Sequence, residues 1–257
     1  ALKILSRCLM LAGFAGVFLS ATPAPSWLLA LLVVLCVALT AVSHAAPSSD
    51  FTRLGWPFVA ARCVLLAACA LCAGLELRMW FSPDVPRGSF DKMFLIGDSI
   101  SAGVGFHGEK TWWEMVRDER GVGVVNMSVG GATLGSSMIK PTRIDAEAFV
   151  LVELGGNDLF RGAPTSGFER DLDSLLGSLC GPGRVVVMLE LPLPPFRSSI
   201  GAAQRRLAKR HGVILIPKKV FSSVLSGSDS TIDGLHLSNA GHRKMADAMW
   251  AVIAPAF

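Results

Sequence analysis

The stretch FLIGDSISAG (residues 94–103) reads as an apolar strand, 93–97, that stops at a Gly-Asp-Ser turn carrying Ser99. The same pattern recurs down the chain. Further strands are expected at 122–127, 149–154, 185–190 and 213–216, with helices at 111–119, 166–180, 199–211 and 238–253. Such alternation predicts an α/β domain with a parallel sheet covered on both faces. Ser99, Gly131 and Asn157 each follow an expected strand. They therefore gather at the carboxyl edge of the sheet, where open α/β folds bind ligands.

Four segments carry chemistry. Gly97-Asp98-Ser99 offers a hydroxyl nucleophile, and Asp233-Gly234-Leu235-His236 offers a base with its orienting carboxylate. A serine hydroxyl becomes nucleophilic when an imidazole takes its proton, and the imidazole needs a partner to hold its tautomer. The three-residue spacing lets Asp233 reach back to the ring nitrogen of His236 that faces away from Ser99. Attack on a carbonyl then creates an oxyanion, which needs preorganised donors. The backbone N–H groups of Ser99 and Gly131 and the side-chain amide of Asn157 are the natural three. Gly131 suits this role because a missing Cβ admits close approach to the backbone.

Each segment alone has an ordinary structural explanation. Gly-Asp-Ser is a common strand-to-loop turn, Gly155-Gly156-Asn157-Asp158 a tight turn, and Asp-x-x-His a helix cap. Their conjunction is what points to acyl transfer. Here the chain resembles the SGNH or GDSL hydrolases over roughly residues 92–257. It looks most like the bacterial thioesterase I/lysophospholipase L1 and arylesterase group. FLIGDSISAG, NMSVGGAT (126–133), VLVELGGNDLFRG (150–162) and DGLHLSNAGH (233–242) match that group's four blocks, with Leu237 where the group often carries proline. The resemblance implies a three-layer, flavodoxin-like fold, Ser99 as nucleophile, His236 as base and Asp233 as its orienter. It implies an oxyanion hole from Ser99, Gly131 and Asn157, and no metal or organic cofactor. The acyl group stays open, because the superfamily hydrolyses lipids, thioesters, aryl esters and sugar acetates alike.

Composition adds a second theme. Of 257 residues, 51% are hydrophobic and only 17% charged, and the mean hydropathy is +0.51. An ordinary soluble hydrolase stands nearer about 25% charged. The apolar excess lies before Trp80, so residues 1–80 are expected to be a membrane anchor of three helices, about 4–24, 27–46 and 57–77. The first stretch also reads as a signal sequence. Two spans are the fallback, and a buried helical bundle is the soluble alternative. Lys3, Arg7, Arg53 and Arg62 favour a cytoplasmic N-terminus and second loop, with the hydrolase domain outside a bacterial-type inner membrane. Two spans would instead leave that domain in the cytoplasm. Arg62 either snorkels to the headgroups or contacts another membrane subunit.

Residues 78–90 read as a linker with interfacial aromatics, and 91–257 as the hydrolase domain. Five of six cysteines fall in the apolar segments, leaving Cys180 in the soluble part, and no metal-ligand spacing is present. The formal charge of +4 sits with a near-balanced soluble part, which argues against nucleic acid. Arg205, Arg206, Lys209, Arg210, Lys218 and Lys219 form a basic stretch, read as a solvated face or as an attraction to anionic headgroups. His107 is a second candidate for the cleft. His242 is expected to face solvent or cap the last helix, and His44 to lie near the polar edge of its span.

The expected function is a membrane-anchored serine esterase acting on a lipid or other acyl ester at the membrane. The alternatives are an O-acetyl esterase or acetyltransferase on an exported polysaccharide and, from another class, a catalytically silent membrane-complex subunit. Its partners are the acylated substrate, membrane lipids and a membrane protein packed on the N-terminal helices.

Overall fold

A computed structural model describes residues 2–45, 55–77, 80–88, 90–105, 107–108, 110–136 and 143–257. Side chains before residue 11 and at 43–45 are outside that description, so the expectations for Lys3, Arg7, Cys8, His44 and Arg53 lie outside the described residues. The chain divides into two compact units. One comprises Ala1–Met79 with Leu193–Ala202, the other Trp80–Pro192 with Ala203–Phe257.

The first unit holds three helices, α1 (Leu2–Leu19), α2 (Ser26–Ala45) and α3 (Gly55–Leu77). They meet on one apolar seam of Val17, Leu28, Leu32, Leu39, Phe58, Leu65 and Cys72. Their other faces are apolar too: Val37 is 64% exposed and Leu66 63%. Among the described residues one helix, α3, is long and apolar enough to cross a membrane; α2 is apolar over the shorter Ser26–Val42. Arg62 lies with its guanidinium 4.6 Å from the centre of the Phe58 ring, on the same helix.

In the second unit five strands, β1 (Lys92–Gly97), β2 (Gly123–Asn126), β3 (Ala148–Glu153), β4 (Arg184–Leu189) and β5 (Ile214–Ile216), form one sheet in the order β2-β1-β3-β4-β5. Every pairing is parallel, with Leu95 beside Leu151 and Gly97 beside Glu153. The order matches the doubly wound, flavodoxin-like arrangement. Strand β3 is buried along its whole length, as expected of a central parallel strand covered on both faces. The longer helices are α5 (Trp112–Arg120), α7 (Thr165–Leu179), α8 (Ser198–His211, of which residues 203–211 belong to this unit), α9 (Lys218–Leu225) and α10 (Asn239–Ile253), and the short turns α4 (Ser99–Ala102) and α6 (Gly156–Phe160) follow β1 and β3. Trp112, Phe149 and Met245 are fully buried in the core.

Two expectations need correction. Helix α9 was not foreseen; its start at Lys218 follows Pro217, which presets the turn into the helix. The basic residues of α8 lie on the expected solvated face, where exposed Arg206 and Arg210 pair with Glu169 (2.5 Å) and Asp173 (3.1 Å), while the more buried Arg205 pairs with Glu190 (2.5 Å). His242 neither faces solvent nor caps α10. It is 1% exposed, and its Nδ1 accepts the backbone N–H of Trp112 at 3.1 Å, while the cap is Ser238.

Burial lowers the His242 imidazole from 6.5 to about 4. Between these values the unfolded chain binds a proton that the native state refuses, so stability falls as pH drops from 6.5 toward 4. The thermal midpoint of the full chain should therefore decline through this window, and less so in His242→Gln. Equal slopes for the two proteins would remove His242 from the acid response.

Candidate functional site

The site is assembled from strand ends. Strand β1 delivers Asp98 and Ser99 into α4, where Asp98 caps the turn by accepting the N–H of Ile100 on Oδ1 at 3.2 Å. Gly97 cannot be replaced cheaply. A Cβ there would stand 2.6 Å from the Ser101 Cβ, so the nucleophile turn closes only over a bare backbone. Ser99 is half-buried at the first position of α4.

The segment 230–238 forms a small loop that brings in the base. Thr231 and Leu237 make an isolated antiparallel bridge, and the N–H of Ile232 bonds the carbonyl of His236 at 2.8 Å. Within the loop, Asp233 Oδ1 accepts the N–H groups of Leu235 (3.0 Å) and His236 (2.7 Å). Its Oδ2 sits 2.6 Å from His236 Nδ1, and His236 Nε2 sits 3.2 Å from Ser99 Oγ. These hydrogen bonds hold the Asp233 carboxyl well below the usual range, the imidazole contributing most. A carboxylate fixed in this way holds the neutral tautomer with the proton on Nδ1 and the lone pair on Nε2 facing Ser99. The three residues named from sequence therefore meet in one chain of hydrogen bonds. Among the described residues nothing joins the exposed His107 to Ser99 or His236.

On the other side, Gly131 lies in a turn after β2 with φ of 76°, a conformation that favours glycine. The Arg161 guanidinium bonds its carbonyl at 3.0 Å and fixes the peptide. Asn157, in α6 after β3, donates from Nδ2 to Asp98 Oδ2 (3.2 Å) and to the Ala132 carbonyl (3.0 Å). Both amide hydrogens are thus committed. Asp158 is buried beside it and accepts the Leu134 N–H at 3.1 Å, anchoring the turn that contains Gly131.

Two supporting residues escaped the sequence reading. Glu153, 3% exposed at the end of β3, accepts the Ser101 hydroxyl at 2.8 Å. Asp98 had been seen only as part of a motif, yet its side chain ties α4 to Asn157. Burial pushes both carboxyls up, and the charge of Asp98 raises Glu153 further. The signal for Glu153 was present in VLVEL (150–154): a lone acid in a strand otherwise buried on both faces. Among the described residues no group of three His, Cys, Asp or Glu is placed to hold a metal ion.

A GDSL-like Lipase/Acylhydrolase family model matches residues 95–244. An arylesterase from Vibrio mimicus is 29% identical over 175 residues, covering 63% of this chain and 88% of its own. Thioesterase 1/protease 1/lysophospholipase L1 of Escherichia coli is 27% identical over 175 residues, covering 64% and 84%. Among solved structures, TesA superposes with a TM-score of 0.55 at 26% identity, over 65% of this chain and 99% of its own. The psychrotrophic esterase EstA from Pseudoalteromonas sp., inhibited by monoethylphosphonate, also gives 0.55, at 21% identity over 64% and 97%.

Proposed function

Since the chain belongs to the GDSL-like lipase/acylhydrolase family and is a serine hydrolase of ester bonds, we propose that it is a membrane-anchored esterase using Ser99, His236 and Asp233 as its triad. The observation that carries the triad is His236, bound at Nδ1 to Asp233 (2.6 Å) and at Nε2 to Ser99 (3.2 Å). The hydroxyl of Ser99 attacks the acyl carbonyl while Nε2 takes its proton. The imidazolium so formed is stabilised by the ionised Asp233 and returns the proton to the departing alcohol or thiol. Water then attacks the acyl-enzyme as it gives a proton to the same nitrogen, and that proton passes to Ser99 Oγ as the acyl–oxygen bond breaks and the acid leaves.

The oxyanion of each tetrahedral intermediate is met by the N–H groups of Ser99 and Gly131 and by the Asn157 amide. Asn157 exchanges one existing bond to do so. The Asp98 carboxylate is the stronger acceptor because it is charged, so the neutral Ala132 carbonyl gives way. The Asp98 bond keeps the amide plane fixed throughout.

Supporting the membrane reading, α3 spans 23 residues and contains an 18-residue stretch of mean hydropathy 2.2, and Val37 and Leu66 present large apolar side chains outward. A soluble bundle leaves its outer faces polar. With three spans, the basic residues Lys3, Arg7, Arg53 and Arg62 favour a hydrolase domain outside the cytoplasm by the positive-inside rule. The substrates are then esters of lipids or other acylated molecules met at that surface.

Rates on p-nitrophenyl esters from acetyl to long-chain acyl, with Ser99→Ala as control, test the substrate class. A kcat/KM rising by about tenfold or more from acetyl to medium or long chains is expected, since each buried methylene contributes about 0.8 kcal/mol. A maximum at acetyl would overturn the lipid reading.

A further inference from the structure

Glu153 is a buried acid that the proposed reaction does not use. It closes β3 directly beside Gly97 of β1, and its side chain enters the space behind the nucleophile turn. Oε2 accepts the Ser101 hydroxyl at 2.8 Å and lies 3.4 Å from the Asp98 N–H. Asp98 and Ser101 are the residues that bracket Ser99 and Ile100. Ser101 is held from its other side too, its carbonyl accepting Trp113 Nε1 at 3.0 Å and Asn126 Nδ2 at 3.1 Å.

Among the described residues no lysine, arginine or histidine side chain hydrogen-bonds Glu153. Burying a carboxyl without a cation is costly, and a leucine of similar size would fill the same space without that cost. The position of the group therefore needs a reason other than packing. We propose that Glu153 is a positioning residue for the nucleophile, clamping both ends of the turn so that Ser99 Oγ stays aimed along the line to His236 Nε2. This rests on Ser99 being the nucleophile. The clamp touches neither substrate nor the reacting atoms, so its loss appears in the chemical step and leaves substrate binding alone. Burial pushes the Glu153 carboxyl up toward its neutral form, which makes glutamine the closest mimic.

The test compares kcat and KM on p-nitrophenyl butyrate for the full chain and for Glu153→Gln, Glu153→Leu, Ser101→Ala and Ser99→Ala. A small misplacement of a reacting atom costs up to about a hundredfold, so Glu153→Leu and Ser101→Ala should lose kcat by about tenfold to a hundredfold. KM should stay within about twofold, the mark of an interaction felt only in the transition state. Glutamine still accepts the Ser101 hydroxyl and should restore kcat to within about threefold of wild type. Should Glu153→Leu not fold, Ser101→Ala decides, because it removes the same hydrogen bond and only one oxygen atom. An unchanged kcat in Ser101→Ala, or equal losses in the Gln and Leu variants, overturns the clamp while an inactive Ser99→Ala leaves the nucleophile in place. An active Ser99→Ala overturns the nucleophile, and the clamp with it.

Discussion

Replacing His236 by alanine is expected to lower kcat for ester hydrolysis by about 10⁴- to 10⁶-fold, and Ser99→Ala by a similar factor, because members of a triad act as a unit. The geometry explains why nothing compensates. Nε2 of His236 is 3.2 Å from Ser99 Oγ, and the nearby Asp98 carboxylate is turned to Ile100 and Asn157 instead. Asp233 spends three hydrogen bonds on the His236 loop and has no path to the hydroxyl except through the ring. The double variant should be no slower than either single one, within error. Steady-state rates on p-nitrophenyl butyrate measure this, and a His236→Ala enzyme retaining a tenth of wild-type kcat would remove the residue from the base role.

Asn157→Ala should lose about 10²- to 10³-fold in kcat with little change in KM, the expected cost of deleting one oxyanion donor. The loss has a specific source. The amide bonds Asp98 and Ala132, so its ground-state partners are already satisfied, and in the proposed mechanism the gain comes only when the oxyanion replaces the Ala132 carbonyl. A residue that merely held substrate would show its loss in KM. Kinetics across a substrate series separate the two, and a KM increase at constant kcat would assign Asn157 to binding.

Much of this was legible in the chain itself. The strands β1, β3 and β4 announced themselves as apolar runs because parallel strands are buried on both faces. The four motif segments named Ser99, Gly131, Asn157, Asp233 and His236 because glycines, an amide and an acid–imidazole pair occur where strand ends require turns. What stayed hidden was partnership. Nothing in the sequence says that Asn157 spends its hydrogens on Asp98 and Ala132, since those contacts join residues 59 and 25 positions away. His242 was misread for a local reason: Arg243 and Lys244 beside it suggest a wet face. Its helical spacing to Met245, Ala246 and Met249, all buried, places it on the core side of α10. The partners of the α8 arginines, Glu169, Asp173 and Glu190, are likewise invisible in the sequence because they lie earlier in the chain.

The triad rests most directly on which atom reacts. Treating the full chain with a fluorophosphonate ester and mapping the adduct by mass spectrometry examines that atom alone. One phosphonyl group on Ser99, absent from Ser99→Ala and strongly slowed in His236→Ala, is the predicted result. An adduct on another residue, or undiminished labelling of Ser99→Ala, would contradict the account.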